Sequence, residues 1–248
     1  MKTILVLGAS SDVGMAYIKH IEKTSKVGEA QIIAHYRTMS LKLKQVIASS
    51  KNVPIDVMQA DLRLLNDVGS LIGQIQTKYT APTHILHLAA GKFRHMRLKQ
   101  FDSALVREEM EIQLFSLAEV FKAFLPTMAK KKYGKVVVML TAYTIGIPPK
   151  FVADYITCKY ALLGLMKAAA AEYCDKGLCI NGISPSMIET KFLDCIDSRI
   201  VEMSAAESPL KRNLDIDEVV TSIEFLMSDK NSYMCGTNMN LSGGGALI

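Results

Sequence analysis

The chain has 248 residues, 50% of them hydrophobic and 21% charged, which suits one large domain with a generous core. Its net charge of +5 is mild and scattered and gives little support to nucleic-acid binding, and its five histidines (His20, His35, His84, His87, His95) lack metal-ligand spacing, so no metal site is expected. Five cysteines without paired spacing and an N-terminus that passes at once into an apolar strand point to a reduced, cytoplasmic chain, and charged residues interrupt every apolar stretch before the roughly 18 to 20 residues that a membrane span needs.

Thr3–Leu7 is a short apolar run ended by Gly8, and a helical pattern over Val13–Lys23 follows. The alternation continues with a strand at Gln31–Tyr36, a helix at Met39–Ser49, a strand at Val53–Met58, a helix at Leu64–Tyr79 and a strand at Thr83–Leu88. A long helical region over Asp102–Lys131 precedes the Val-rich strand Lys135–Leu140. Then come a helix at Asp154–Cys174, a strand at Leu178–Ile183, a helix at Asp217–Ser228 and a last strand at Asn238–Leu241. Strands that are apolar throughout, separated by amphipathic helices, indicate a doubly wound α/β domain whose parallel sheet is covered on both faces. No linker or internal repeat divides residues 1–248. Such folds bind ligands beyond the carboxyl ends of their strands.

Two features of those strand ends and helices carry chemistry. In the turn Gly8-Ala9-Ser10-Ser11-Asp12-Val13-Gly14, exposed N–H groups and the dipole of the following helix attract a phosphate. Gly8 allows the tight turn and Gly14 a close approach of helix or ligand. Tyr155 and Lys159 stand four residues apart on one helix face, so the ammonium can favour the ionised phenol. An unassisted phenol titrates near ~10 and is a poor general acid or base at neutral pH.

With these two features the chain resembles the short-chain dehydrogenase/reductase family over nearly its whole length, most of all the members that reduce 3-oxoacyl-[acyl-carrier-protein] thioesters. Gly8 to Gly14 is similar to the family's G-x-x-x-G-x-G turn, Ala60-Asp61-Leu62 to the acidic position near the adenine, and Ala89-Ala90-Gly91 to the end of its N-N-A-G. Tyr155 to Lys159 resembles Y-x-x-S-K, Asn181 to Ser186 resembles N-x-x-x-P-G, and Ser242-Gly243-Gly244 resembles the closing D-G-G. The resemblance implies a seven-stranded Rossmann-like fold, one NAD(P)-binding domain with a substrate lid at about 187–209, and hydride transfer between a nicotinamide and a carbonyl or alcohol. It assigns Gly8, Ser10, Ser11, Asp12, Val13, Gly14, Arg37, Asp61, Leu62, Ala89, Ala90, Gly91, Tyr155, Lys159, Pro185, Ile188 and Thr190 to the cofactor, with Thr190 at the carboxamide end. Tyr155 is expected to exchange the proton and Lys159 to lower its pKa and hold the ribose. A homodimer or homotetramer is implied, packed through the Asp102–Lys131 region and the Tyr155 helix.

Several positions depart from the pattern. Asp12 replaces the middle glycine of the turn and is expected to cap the first helix. Leu88-Ala89 replaces both asparagines, with His87 just before them. The serine position falls on Thr141 by one count and on Ala142 by another; Thr141, which can donate as serine does, is expected to serve, with Tyr143 and Thr144 as substitutes. Gln113 takes the place of the tetrad asparagine, either holding a proton-carrying water or lying as a polar residue at an interface. Arg37, with no acid beside it in Ala34-His35-Tyr36-Arg37-Thr38, favours NADP(H) over NAD(H). The apolar residues Phe192, Leu193, Ile196, Ile200, Val201 and Met203 of the lid suit an apolar or acyl-thioester substrate, and Lys130-Lys131-Lys132 could meet an acidic acyl-carrier protein or simply form a solvated helix end. The alternative to an enzyme is a nucleotide-binding protein with little turnover.

Overall fold

The computed structural model describes residues 1–94, 96–193 and 196–246, with the backbone alone at Phe192. In chain order the strands are β1 (Lys2–Leu7), β2 (Ala30–Tyr36), β3 (Ile55–Gln59), β4 (His84–His87), β5 (Gly134–Met139), β6 (Leu178–Pro185) and β7 (Asn238–Leu241). The helices are α1 (Asp12–Thr24), α2 (Leu41–Ser49), α3 (Leu65–Tyr79), α4 (Ser103–Met110), α5 (Ser116–Lys130), α6 (Ala153–Tyr173), α7 (Ser198–Glu207) and α8 (Ile216–Met227). Among the described residues the strands form one sheet in the order β3-β2-β1-β4-β5-β6-β7, every pair parallel. The third strand starts two residues later than expected, beyond Pro54, which has no N–H to give a ladder.

Both sheet faces are buried, which is why the strands read as apolar throughout rather than alternating. Leu5, Leu7, Ile85, Val136 and Val138 face α3, α5 and α6, while Ile4, Val6, Leu86 and Val137 face α1, α2 and α8. Fully buried side chains such as Phe124 and Leu71 each contribute about 1.5–3 kcal/mol through lost apolar exposure.

The expected long helix is present but interrupted: Glu111–Phe115 forms a single π-helical turn between α4 and α5, a feature often found at functional sites. The whole helix Ser103–Lys130 also corrects the expectation that no segment could span a membrane, because one window of it is long and apolar enough by length and composition. Half of that window is buried inside the protein, where Leu117, Val120, Phe121, Phe124, Leu125 and Met128 face the sheet and its helices. Its apolar content is that of a core helix.

Candidate active site

The strand order reverses between β1 and β4, so the turns leaving those strands diverge and open a cleft at the carboxyl edge of the sheet. Gly8 turns at φ +86°, and a Cβ there would lie 2.9 Å from Ala89 N, so the two turns touch backbone to backbone. Ser11 caps α1: its Oγ donates to Gly8 O at 2.8 Å and accepts from Gly14 N at 3.0 Å. This corrects the capping role expected for Asp12. The Asp12 carboxylate instead accepts the Lys191 N–H at 2.8 Å, joining the Gly8–Gly14 turn to the Met187–Pro209 segment.

The central chamber of the cleft, about 420 Å³, brings together Ser10, Ser11, Asp12, Val13, Ala90, Thr141, Tyr155, Lys159, Pro185, Ile188 and Thr190. A wider groove of about 1520 Å³ continues from it between α1, α2, α7 and α8. A third hollow of about 580 Å³ beyond β2 and β3 is lined by Arg37 and Asp61 together with Arg63. Arg63 grips both oxygens of Asp61 and also pairs with Glu108, and this holds the Asp61 carboxyl below its ordinary range. Leu62 is buried in the core instead of lining any of these spaces.

Thr141 ends the segment after β5 and lies buried, with its side chain hydrogen-bonded to that of Tyr155. Ala142 is buried and has no hydroxyl. Thr144 is spent elsewhere, donating to Thr141 O at 2.8 Å and joining Ser184 and Asn238 in a polar network, whereas Tyr143 lines the chamber. Phe93, which sequence reasoning did not single out, stacks edge-on against Tyr155 with ring centroids 5.1 Å apart.

Lys159 lies beside the Tyr155 ring, as the spacing suggested, and its ammonium is also engaged by the backbone. Its Nζ lies 5.7 Å from the centre of the Tyr155 ring and donates to Met139 O at 2.9 Å. Burial raises the Tyr155 pKa above that of a free phenol, outweighing the Thr141 hydrogen bond. Burial also lowers Lys159 to about 8, against the opposing pull of Cys158 and Glu109. The phenol is therefore a retained proton, available to an oxygen that becomes anionic beside it.

Gln113 falls within the π turn and is 1% exposed, behind the chamber rather than on its wall. Its amide nitrogen donates to Glu109 at 2.9 Å, and Gly91 N donates to the same carboxylate at 3.0 Å. Glu109, Arg63 and Phe93 are the residues that the sequence reading passed over. The signals available were Glu109 four residues before Gln113 and Arg63 two after Asp61.

Of the apolar lid residues, Leu193 and Ile196 reach the chamber, Val201 lines the wider groove and Met203 is 58% exposed; the Phe192 side chain lies outside the described residues. Lys130–Lys132 sit at the opposite edge of the sheet, about 20 Å from the Thr141 end of β5, where cations complement the carboxyl end of α5.

A parallel seven-stranded sheet with a glycine turn at its switch point and a Tyr–Lys pair on α6 in the same chamber defines a dinucleotide-fold oxidoreductase. The family model described as enoyl-(acyl carrier protein) reductase matches residues 8–245, and the chain belongs to this short-chain dehydrogenase/reductase family. It is 25% identical to the "Uncharacterized oxidoreductase YmfI" of Bacillus subtilis, over 98% of each chain. It is 22% identical to the 3-oxoacyl-[acyl-carrier-protein] reductase FabG of Staphylococcus aureus, over 98% of this chain and 97% of that one. Among solved structures, ElxO with NADP bound is similar in fold, with a TM-score of 0.85 and 22% identity over 98% of each chain.

Proposed function

We propose that this oxidoreductase uses NADP(H) to interconvert a carbonyl and an alcohol, with 3-oxoacyl thioesters as the leading substrate class. The observation that carries the reading is the Tyr155 hydroxyl on Thr141, with Lys159 under the ring, in the chamber that also holds Ser10 to Val13. The residues fit such a cofactor: the Gly8–Gly14 turn suits the pyrophosphate, Arg37 the ribose phosphate and Asp61 the adenine. Ala90 lines the chamber between its neighbours Ala89 and Gly91, and Pro185, Ile188 and Thr190 flank the nicotinamide end. When bound, the cofactor supplies the hydride. Tyr155 gives its proton to the carbonyl oxygen, and Thr141 orients that oxygen by donating to it. Lys159 holds the ribose and replenishes the proton, with Gln113 behind it. Similarity to FabG and the apolar Leu193 and Ile196 support an acyl chain. Residues 187–209 act as the lid, and α4, α5 and α6 form the homo-oligomer surface, where Phe115 and Tyr160 are exposed.

One observation favours the alternative, nucleotide binding without turnover: Lys159 is turned to Met139 O. Absorbance at 340 nm with NADPH and a panel of ketones and 3-oxoacyl thioesters decides between them. Turnover that is abolished by Tyr155→Phe, with NADPH binding retained, is the expected result. Tight NADPH binding without turnover of any substrate overturns the enzyme reading, and turnover that survives Tyr155→Phe overturns the mechanism.

A further inference from the structure

Glu109 is a buried carboxylate, 6% exposed, on the last turn of α4. Three groups from two parts of the chain converge on it. Gly91 N donates to Oε2 at 3.0 Å from the turn after β4, Gln113 Nε2 donates to the same oxygen at 2.9 Å from the π turn, and Arg94 pairs with Oε1 at 3.4 Å. Arg94 lies one residue beyond Phe93, which stacks on Tyr155.

Two consequences follow from these contacts. With its nitrogen committed to Glu109, the Gln113 amide is fixed, and its Oε1 is buried without a hydrogen-bond partner among the described residues. Only a donor, either water or an ammonium, can satisfy that oxygen. A Cβ at Gly91, moreover, would lie 1.9 Å from Glu109 Oε1 and 2.6 Å from its Cδ, so a side chain there has to displace the carboxylate. The carboxylate and the backbone of this turn are shaped to each other. Glu109 also places a negative charge close enough to favour the ammonium form of Lys159.

We propose that Glu109 is a positioning residue of this active site, holding the Gly91 turn against the cofactor and fixing the Gln113 amide so that its buried carbonyl takes a hydrogen-bond donor. The proposal rests on the NADP(H) reading above. It acts through Gly91, Gln113 and Lys159, and Glu109 itself need touch neither substrate nor cofactor.

The test needs no substrate. NADPH dissociation constants are measured by fluorescence from pH 6.5 to 9.5 for the unaltered protein, Glu109→Gln, Glu109→Ala, Gly91→Ala, the Glu109→Ala/Gly91→Ala pair and Lys159→Met. Gly91→Ala is expected to weaken NADPH about 10-fold by displacing the carboxylate, but to cost under about 2-fold once Glu109 is alanine. Affinity in the unaltered protein is expected to fall as Lys159 deprotonates near pH 8, a bend absent in Lys159→Met. In Glu109→Gln the lost anion and the uncompensated Arg94 both disfavour the ammonium, so the bend moves to lower pH by roughly half a unit or more. A purely structural role would leave it in place. Additive penalties in the pair, or an unmoved bend in Glu109→Gln, overturn the proposal while the cofactor reading stands. Failure of the unaltered protein to bind NADPH overturns the cofactor reading first, and this proposal with it.

Discussion

Acid should weaken this protein well above the pH at which its carboxylates titrate, and His87 offers the sharpest way to see it. His87 is fully buried at the end of β4, with both ring nitrogens lacking a hydrogen-bond partner among the described residues, and burial beside Lys159 and His35 lowers it to about 3. His84, three residues earlier and 1% exposed, is likewise lowered to about 3 by burial and by Lys2. Both folded-state values lie below the ~6.5 of an unfolded histidine. Their stabilising share is therefore complete above ~6.5 and is lost as pH falls towards 3, because only the unfolded chain takes up the protons. At about 1.4 kcal/mol per pH unit, each histidine removes about 2 kcal/mol between pH 7 and pH 5, or about 4 kcal/mol for the two. Urea denaturation at the two pH values measures the loss directly, and in His87→Leu it should shrink by about half. An equal loss in the variant and the unaltered protein, or an imidazole signal of His87 titrating near pH 6 by NMR, would refute the reasoning.

Other predictions follow from single contacts. Asp12→Ala removes the acceptor of the Lys191 N–H, a solvent-exposed bond worth about 0.5–1 kcal/mol, so stopped-flow NADPH release should quicken by about 2- to 5-fold, while Asp12→Asn, which keeps an acceptor, should stay near the unaltered rate. Gly8→Ala forces an L-residue to φ +86° and a Cβ against the Leu88–Ala89 backbone, and it should cost about 2–4 kcal/mol in urea denaturation. Arg37→Gln should raise the dissociation constant for NADPH about 10-fold and leave that for NADH unchanged.

The parts of the fold readable in the sequence were those governed by local periodicity. Val136, Val137 and Val138 are all buried because both sheet faces are covered, so an unbroken apolar run sufficed to place a central strand. Tyr155 and Lys159 share a helix face by spacing alone. Spacing could not give the orientation of the ammonium, because the competing acceptor, Met139 O, comes from another element twenty residues earlier. The count across the Thr141 loop was ambiguous for the same reason: nothing local says which of two adjacent residues faces Tyr155 when the loop length varies.

Glu109 was the least legible, and its case explains the others. It sits beside Glu108 and close to Glu111, a pattern that reads as the wet face of a helix. The π turn that follows adds a residue to one helical turn and so shifts the faces presented on either side of it, which a 3.6-residue period cannot anticipate. Burial of that carboxylate is tolerable only because Gly91, Gln113 and Arg94 converge on it, and two of these come from a loop with no periodicity at all. The same holds at the Gly8–Gly14 turn, where the Asp12 side chain finds its partner 179 residues away. In both places a departure from the family pattern is matched by a polar contact across the fold. Restoring only the family residue, as in Asp12→Gly, therefore leaves the Lys191 N–H without its acceptor instead of recovering an ordinary turn.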